Sequence, residues 1–283
     1  MNDAAQLPTV ADALREARQR GVDRLDAELL LASELSLSRS ALIARGNQPL
    51  LPELSARWRL QIGRRADGVP LAYLLGDKEF HSLLLRVSPS VLVPRPETEL
   101  LVEWALEILA ARRQTWPTPA VADLGTGSGA IALAIVKGCP QAQAWASDIS
   151  AAALDIAREN ARRLGLQIRW LEGSWWQPFG GVSFDLAVAN PPYIEAADPH
   201  LAALRHEPLI ALTPGPDGLS ALRDIITGAP PHLHDDGWLL LEHGFDQGVA
   251  VQSMLRRNGW QDVSGRNDLA GLPRASGGRR PRR

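Results

Sequence analysis

Apolar positions fall into three kinds of pattern along the chain. Val10, Ala13, Leu14 and Ala17 recur at helical spacing, as do Leu25, Leu29 and Leu30, and then Leu54, Trp58 and Ile62. Gly46 with Asn47, Gln48 and Pro49 interrupts them as an inter-helix turn does. Residues 1–75 are therefore expected to form a small bundle of four or five short helices. Phe80, Leu83, Leu85, Val87, Val91 and Val93 next give short β-type runs, broken at Ser88-Pro89-Ser90. This predicts a β-hairpin in a linker over residues 76–98. Leu101, Trp104, Ala105, Ile108 and Leu109 then share one helical stripe between Leu100 and Arg113, with acids in the first turn that suit the helix dipole.

From residue 119 onward strands and helices alternate. Strands are expected over 121–124, 143–147, 168–171, 184–189 and 238–242, and helices over 130–137, 151–164, 219–227 and 247–258. Strands joined through helices pair in parallel with right-handed crossovers, so the predicted class is α/β with a doubly wound, mostly parallel sheet. The chain closes on Arg274 to Arg283, a stretch holding five arginines with Gly and Pro. The expectation is a large domain over 99–276 followed by a basic, disordered tail over 277–283.

Composition narrows the class of activity. Of 283 residues 45% are hydrophobic and 22% charged, as in an ordinary globular protein. Lys and Arg total 30 against 32 for Asp and Glu, a net charge of -2, which argues against coating a nucleic-acid backbone. The uncharged stretch Leu124 to Val136 spans 13 residues, too few to cross a bilayer. Met1-Asn2-Asp3 has neither the basic nor the apolar region of a secretory signal, and the single Cys139 excludes an intramolecular disulfide or a thiolate cluster. A cytoplasmic location is expected.

Two motifs carry chemistry. Asp123-Leu124-Gly125-Thr126-Gly127-Ser128-Gly129 joins a strand to a helix, where doubly wound folds bind ligands. Its spacing is G-x-G-x-G with no Gly-Lys-Ser/Thr ending, so a phosphate-gripping loop is disfavoured. An adenosine ligand without pyrophosphate fits, and S-adenosyl-L-methionine is one, with Asp123 near its amino-acid end. Asp148, about twenty residues on and at the next strand end, is placed to accept hydrogen bonds from ribose hydroxyls. Taken alone, Asp148 is also a plausible helix cap, and a nicotinamide dinucleotide remains open on these residues.

The second motif, Asn190-Pro191-Pro192-Tyr193, ends the strand Phe184 to Ala189. Two prolines fix φ and remove two backbone donors. A rigid corner then presents the Asn190 side-chain oxygen and the Pro191 carbonyl as acceptors, and Tyr193 offers a ring face. Such a corner suits an NH2 group on a planar conjugated carbon, whose nitrogen is a poor nucleophile. Two acceptors aim that nitrogen and favour its pyramidal geometry, which is catalysis by positioning. As a bland alternative the tetrapeptide is simply a turn.

These motifs together resemble the class I S-adenosylmethionine-dependent methyltransferases that modify amide or exocyclic nitrogens. Pro94-Arg95-Pro96-Glu97-Thr98-Glu99, Gly68 to Gly76 and Asp268-Leu269-Ala270-Gly271 narrow the likeness to the release-factor glutamine methyltransferases, over residues 10 to 276. The resemblance implies N5-methylation of the glutamine in the Gly-Gly-Gln loop of class I peptide-chain release factors. It implies that Gly125, Thr126, Gly127, Ser128 and Gly129 line the methionine and ribose, that Asp148 holds the ribose, and that Trp175 lies along the adenine. Asn190 and Pro191 would hold the substrate amide. Ser174 stands where the family often has Asp, and Trp176 follows Trp175, so either tryptophan has an alternative place in the core.

The implied partners are class I release factors, with no membrane and no direct nucleic-acid contact, and the chain is expected to act as a monomer. The helical front domain would dock the substrate. Arg95, Glu97 and Glu99 have a structural reading in the first turn of a helix and a functional one at the mouth of the site. The long connection Glu195 to Gly218 is a candidate substrate loop. His232 and His234 lack further ligands for a metal and are read as loop residues, and Cys139 as inert. Competing readings are a glutamine methyltransferase of a ribosomal protein, an adenine or guanine methyltransferase on nucleic acid, and a non-catalytic adaptor with an old cofactor site.

Overall fold

The computed structural model describes residues 7–282. The chain divides into two compact units, Met1–Asp77 and Lys78–Arg283. In the first, five helices follow one another: α1 (Val10–Gln19), α2 (Arg24–Glu34), α3 (Arg39–Ala44), α4 (Pro52–Ala66) and α5 (Leu71–Leu75). Thr9 and Asp12 form a reciprocal capping box that starts α1, and Asp23 and Ser38 cap α2 and α3. Leu31, Leu42, Trp58 and Ile62 fill the centre of the bundle. Glu28, 1% exposed, is held by Arg24 at 2.7 Å and Arg39 at 2.6 Å, so its buried charge is compensated.

In the second unit a seven-stranded sheet carries the site. Its strands are β3 (Ala120–Leu124), β4 (Gln143–Asp148), β5 (Arg169–Glu172), β6 (Phe184–Ala189), β7 (Leu233–Glu242), β8 (Gln261–Asn267) and β9 (Pro273–Arg279). They lie in the order β5-β4-β3-β6-β7-β9-β8, parallel as far as β7 and antiparallel beyond it. The chain turns one way from β3 to β5 and the other way from β6 to β7, which puts the topological switch between β3 and β6. The helices α6 (Glu99–Ala111), α7 (Ala130–Gly138) and α8 (Ala151–Leu164) feed the core on one face; α9 (Ser220–Gly228) and α10 (Gly248–Arg257) feed the other. Covered on both sides, β3, β6 and the Trp238 to Leu241 half of β7 are nearly continuous apolar runs.

The short hairpin of β1 (Asp77–Phe80) and β2 (Leu83–Arg86) sends Phe80, Leu83 and Leu85 into the same core as α6 and α7. Asn160 on α8, fully buried, accepts from the Arg86 N–H at 2.6 Å and donates to the carbonyls of Arg86 and Ser128. One amide therefore ties the hairpin to the glycine loop. From Lys78 onward the expected linker over 76–98 thus lies in the second unit, and its hairpin packs into that unit's core.

Sequence reasoning erred at the carboxyl end. Residues 277–279, expected in a disordered tail, lie in β9, an inner strand between β7 and β8. Ala275 and Ser276 are buried, and the arginines are paired: Arg274 with Asp268 at 3.0 Å, Arg279 with Asp262 at 2.6 Å and also with Asp236. Arg282 meets Asp236 as well. Arg283 lies outside the described residues. The physical reason is steric: β9 passes beneath Leu240 and Trp104, where only small residues fit, so it carries none of the bulky apolar residues that announce a strand. Among the described residues no helix is long and apolar enough to cross a membrane, and no group of His, Cys, Asp and Glu is arranged to hold a metal.

Candidate active site

Register alone brings the two motifs together. Leu124 pairs with Ser147 on one side and with Ala189 on the other. The residues that follow, Gly125, Asp148 and Asn190, therefore leave the sheet side by side at the carboxyl edge of three adjacent strands, at the switch point. A cavity of about 340 Å³ opens there, within the range of small-molecule sites. Gly125, Gly127, Asp148, Trp175, Asn190, Pro191 and Pro192 line it.

The glycine loop is braced from below. Asp123, 1% exposed, accepts through Oδ2 from the Thr126 hydroxyl at 2.6 Å and from the Ala132 N–H at 3.2 Å, while its Oδ1 has no partner. Burial pushes its pKa up to about 7, against those two bonds. Asp123, Thr126, Ser128 and Gly129 do not line the cavity. Ser128 is buried, and Gly129 packs against Leu133, Trp170 and Ala157. These four residues shape the loop from behind, and of the residues Asp123 to Gly129 only Gly125 and Gly127 line the cavity.

Asp148 accepts from the Gly127 N–H through Oδ2 at 2.8 Å and from the Ser150 N–H through Oδ1 at 2.9 Å. The Ile149 N–H is also directed at this carboxylate, which keeps acceptor capacity for a further donor. Burial raises its pKa, opposed by the N–H groups of Ser150, Gly127 and Ile149. The cap of α8 is Ser150, whose hydroxyl accepts from the Ala153 N–H at 3.2 Å, so Asp148 is not spent on capping.

The two tryptophans separate cleanly. Trp176 is buried, donates from Nε1 to the Ile225 carbonyl at 2.9 Å and stacks on His232 with ring centroids 5.1 Å apart. Trp175 lines the cavity and holds φ at 44°, a left-handed conformation that a bulky residue adopts only under constraint. The turn lays its ring against Gly125: a Cβ there would stand 3.1 Å from the ring, and Gly125 itself sits at φ +69°. Glycine is required at 125 on both counts.

At the diproline corner the Asn190 side chain donates through Nδ2 to Thr98 Oγ1 at 3.1 Å. Tyr193 differs from expectation. Its ring packs against the core beneath α9 and α10, outside the cavity lining, and its hydroxyl donates to Glu242 Oε1 at 3.2 Å. Burial, then the Glu242 charge, raises its pKa. Tyr193 anchors the corner where a substrate-facing ring was expected.

Sequence reasoning missed Thr98, Glu242 and Glu207. Thr98 lies inside the Arg-Pro-Glu-Thr-Glu block, between acids that drew attention first. Glu242 had a signal, an acid ending the apolar run Leu239-Leu240-Leu241 of a central strand. Glu207, 7% exposed, accepts from Val93 N–H at 3.1 Å and pairs with Arg95 at 2.5 Å, which ties the connection after Tyr193 to the stretch Val91 to Arg95. Pro208, Ile210 and Thr213 from that connection, with Val91 and Leu92, complete the cavity wall. Arg95 thus has a partner across the mouth. Glu99 instead accepts from the His81 N–H at 2.9 Å and holds the hairpin turn.

Comparison with known proteins agrees with this geometry. Residues 7–76 match the PrmC N-terminal domain and residues 100–207 the methyltransferase small domain. The release factor glutamine methyltransferase of Bordetella pertussis is 48% identical over 91% of this chain and 95% of its own, and that of Burkholderia pseudomallei 47% identical over 97% and 98%. The chain belongs to the release factor glutamine methyltransferases. Solved structures show the same fold at lower identity. The catalytic domain of hMettl16 in complex with the MAT2A 3'UTR hairpin 6 has a TM-score of 0.56 at 15% identity, covering 77% of this chain and 81% of that one. A methyltransferase from Pyrococcus furiosus has 0.51 at 14%, covering 80% and 100%. As in the family, the cofactor is S-adenosylmethionine. The cavity suits it in size, in the remaining acceptor capacity of Asp148 and in the ring of Trp175.

Proposed function

We propose that this chain methylates the side-chain amide nitrogen, N5, of the glutamine in the Gly-Gly-Gln loop of class I peptide-chain release factors. The observation that carries this reading is the Asn190-Pro191 corner, fixed at the end of β6 and facing the same cavity as Gly125, Asp148 and Trp175. Bound S-adenosylmethionine supplies a methyl group on a positively charged sulfur.

The chain's residues have four tasks. Asp148 receives the ribose hydroxyls, and Trp175 gives the adenine an apolar face. Gly125 and Gly127 let backbone approach the amino-acid end, above the buried Asp123. Asn190 Oδ1 and the Pro191 carbonyl accept the two hydrogens of the substrate amide and turn its nitrogen toward the methyl. On accepting the methyl group that bound S-adenosylmethionine would supply, the substrate nitrogen would turn acidic. One acceptor of the corner then relays the released proton to water, and no ground-state base is needed. The helical unit, Met1–Asp77, receives the release factor.

Transfer of tritiated methyl to purified release factor, with a Gln→Ala factor as control, tests the reading. Label is expected on the natural factor alone; equal label on the control would overturn it. In the same assay, protein lacking residues 1–76 is expected to bind cofactor normally and to methylate the factor more slowly. An unchanged rate would remove the docking role from the helices.

Asp148→Ala is expected to lose charge-assisted hydrogen bonds of about 1.5–3 kcal/mol, roughly a ten- to hundredfold rise in cofactor Kd. Titration calorimetry giving wild-type affinity would leave Asp148 only its bonds to Gly127 and Ser150.

A further inference from the structure

Asparagine presents an oxygen at one end of its amide and an NH2 at the other, and the two ends are nearly the same shape. A corner that must accept hydrogens therefore works only if something holds the NH2 away from the substrate. Packing cannot make that distinction; a hydrogen bond of fixed polarity can.

Such a bond is present at Asn190. Its Nδ2 donates to Thr98 Oγ1 at 3.1 Å, and Thr98 is 4% exposed. A hydroxyl has one hydrogen, so an oxygen that accepts from Asn190 must send its hydrogen elsewhere. The acceptor placed beside it is the Glu242 carboxyl, whose charged form the Thr98 side chain favours, drawing its pKa down. Glu242, 2% exposed, also accepts from the Tyr193 hydroxyl at 3.2 Å, three residues after Asn190, and its Oε2 has no partner of its own. An ionised carboxylate can only accept. The Tyr193 hydroxyl donates to it, and a carboxylate beside Thr98 draws the Thr98 hydrogen and leaves the Thr98 lone pairs for Asn190.

We propose that Thr98 and Glu242 are positioning residues that hold the acceptor end of the Asn190 amide toward the substrate nitrogen. This rests on the reading of Asn190 as the acceptor for the glutamine amide. Neither residue touches substrate or cofactor; each acts through the next.

The charge state of Glu242 enters directly. The charged and titratable groups that face it are Arg274 from β9, Tyr193 from the corner and Glu97 from the segment before α6. Burial raises its pKa to about 7; Thr98, Tyr193 and Arg274 oppose the rise and Glu97 adds to it. Once protonated, Glu242 donates to Thr98. The Thr98 hydrogen then points at Asn190, and the amide oxygen is drawn away from the substrate.

Steady-state kinetics of the full-length chain on a release factor, with cofactor Kd by calorimetry, separates this from packing. Thr98→Val is expected to lower kcat about 10- to 100-fold, the cost of a misplaced catalytic group, with KM and cofactor Kd near wild type. Thr98→Ser keeps the hydroxyl and is expected to restore most of the rate. In wild type kcat is expected to rise with pH through about 7, and in Glu242→Gln that step should vanish. Wild-type kcat in Thr98→Val would overturn the proposal, as would equal losses in the Val and Ser variants, since a packing defect ignores the hydroxyl. Should Thr98→Val fail to fold, the paired readout of Thr98→Ser activity and the Glu242→Gln pH profile decides: a retained pH step in Glu242→Gln overturns it. A wild-type chain that leaves the glutamine unlabelled would instead defeat the substrate reading beneath it.

Discussion

Asn190→Ala is expected to lower methyl transfer to release-factor glutamine by about 10²- to 10³-fold, the scale on which removing one preorganised hydrogen-bonding group costs an enzyme. Cofactor Kd is expected to stay close to wild type. The two halves of that expectation have separate causes. The cofactor's anchors lie on other strands, with Asp148 at the end of β4 and Trp175 after β5. Asn190 leaves the sheet two strands from β4, at the end of β6 and across β3. Losing its oxygen removes one of two acceptors that fix the amide hydrogens, and Pro191 alone cannot set both the direction and the tilt of the nitrogen. Removing Nδ2 also frees Thr98, but Tyr193 keeps its bond to Glu242, so the fold below the corner stays supported. Single-turnover transfer of labelled methyl, beside calorimetric cofactor binding, measures the two quantities independently. A variant that turns over at the wild-type rate would move the acceptor away from Asn190. A parallel loss of cofactor affinity would make Asn190 a binding residue first.

How far the site could be read beforehand follows from where its information lies. Gly125, Asp148 and Asn190 each end an apolar run, and buried parallel strands announce themselves through such runs. Once β3, β4 and β6 are adjacent, their ends coincide, and three local signals become one place. Trp175 and Trp176 show the opposite case. Their types are identical and their positions consecutive, and only the backbone turn at Trp175 sends one ring to the cavity and the other to His232. The direction of the Tyr193 ring is not legible in the sequence, because a rigid turn aims its neighbours by backbone geometry that residue types do not record. Thr98 and Glu242 act on Asn190 from 92 and 52 positions away in the chain, in a partnership that exists only in three dimensions. β8 and β9 escaped for another reason. One is largely exposed and polar, the other small and basic, and their strand character comes from the neighbours that enclose them.

That enclosure makes Gly277→Val the most damaging substitution expected outside the cavity. Gly277 lies opposite Leu240 in the β7–β9 ladder. A Cβ at 277 would stand 2.5 Å from Leu240 Cδ2, 2.9 Å from the Leu239 carbonyl oxygen and 3.0 Å from the Trp104 ring. Leu240 has a flexible end and can give way. The Leu239 carbonyl belongs to a central strand and cannot, and Trp104 is held between α6 and the sheet with Arg266 over its ring at 4.8 Å. Valine adds two further methyl groups to a space already refused to one carbon. Overpacking of this kind costs up to about 3 kcal/mol. For a unit of this size that corresponds to a Tm lower by roughly 6–12 °C. Pro281→Ala, past the end of β9, is the matched control and is expected to change stability by less than about 0.5 kcal/mol. Had residues 277–283 been a solvated tail, the two substitutions would melt alike. Equal melting curves for Gly277→Val and wild type would therefore take β9 out of the sheet, and with it the Arg274 that faces Glu242 behind the catalytic corner.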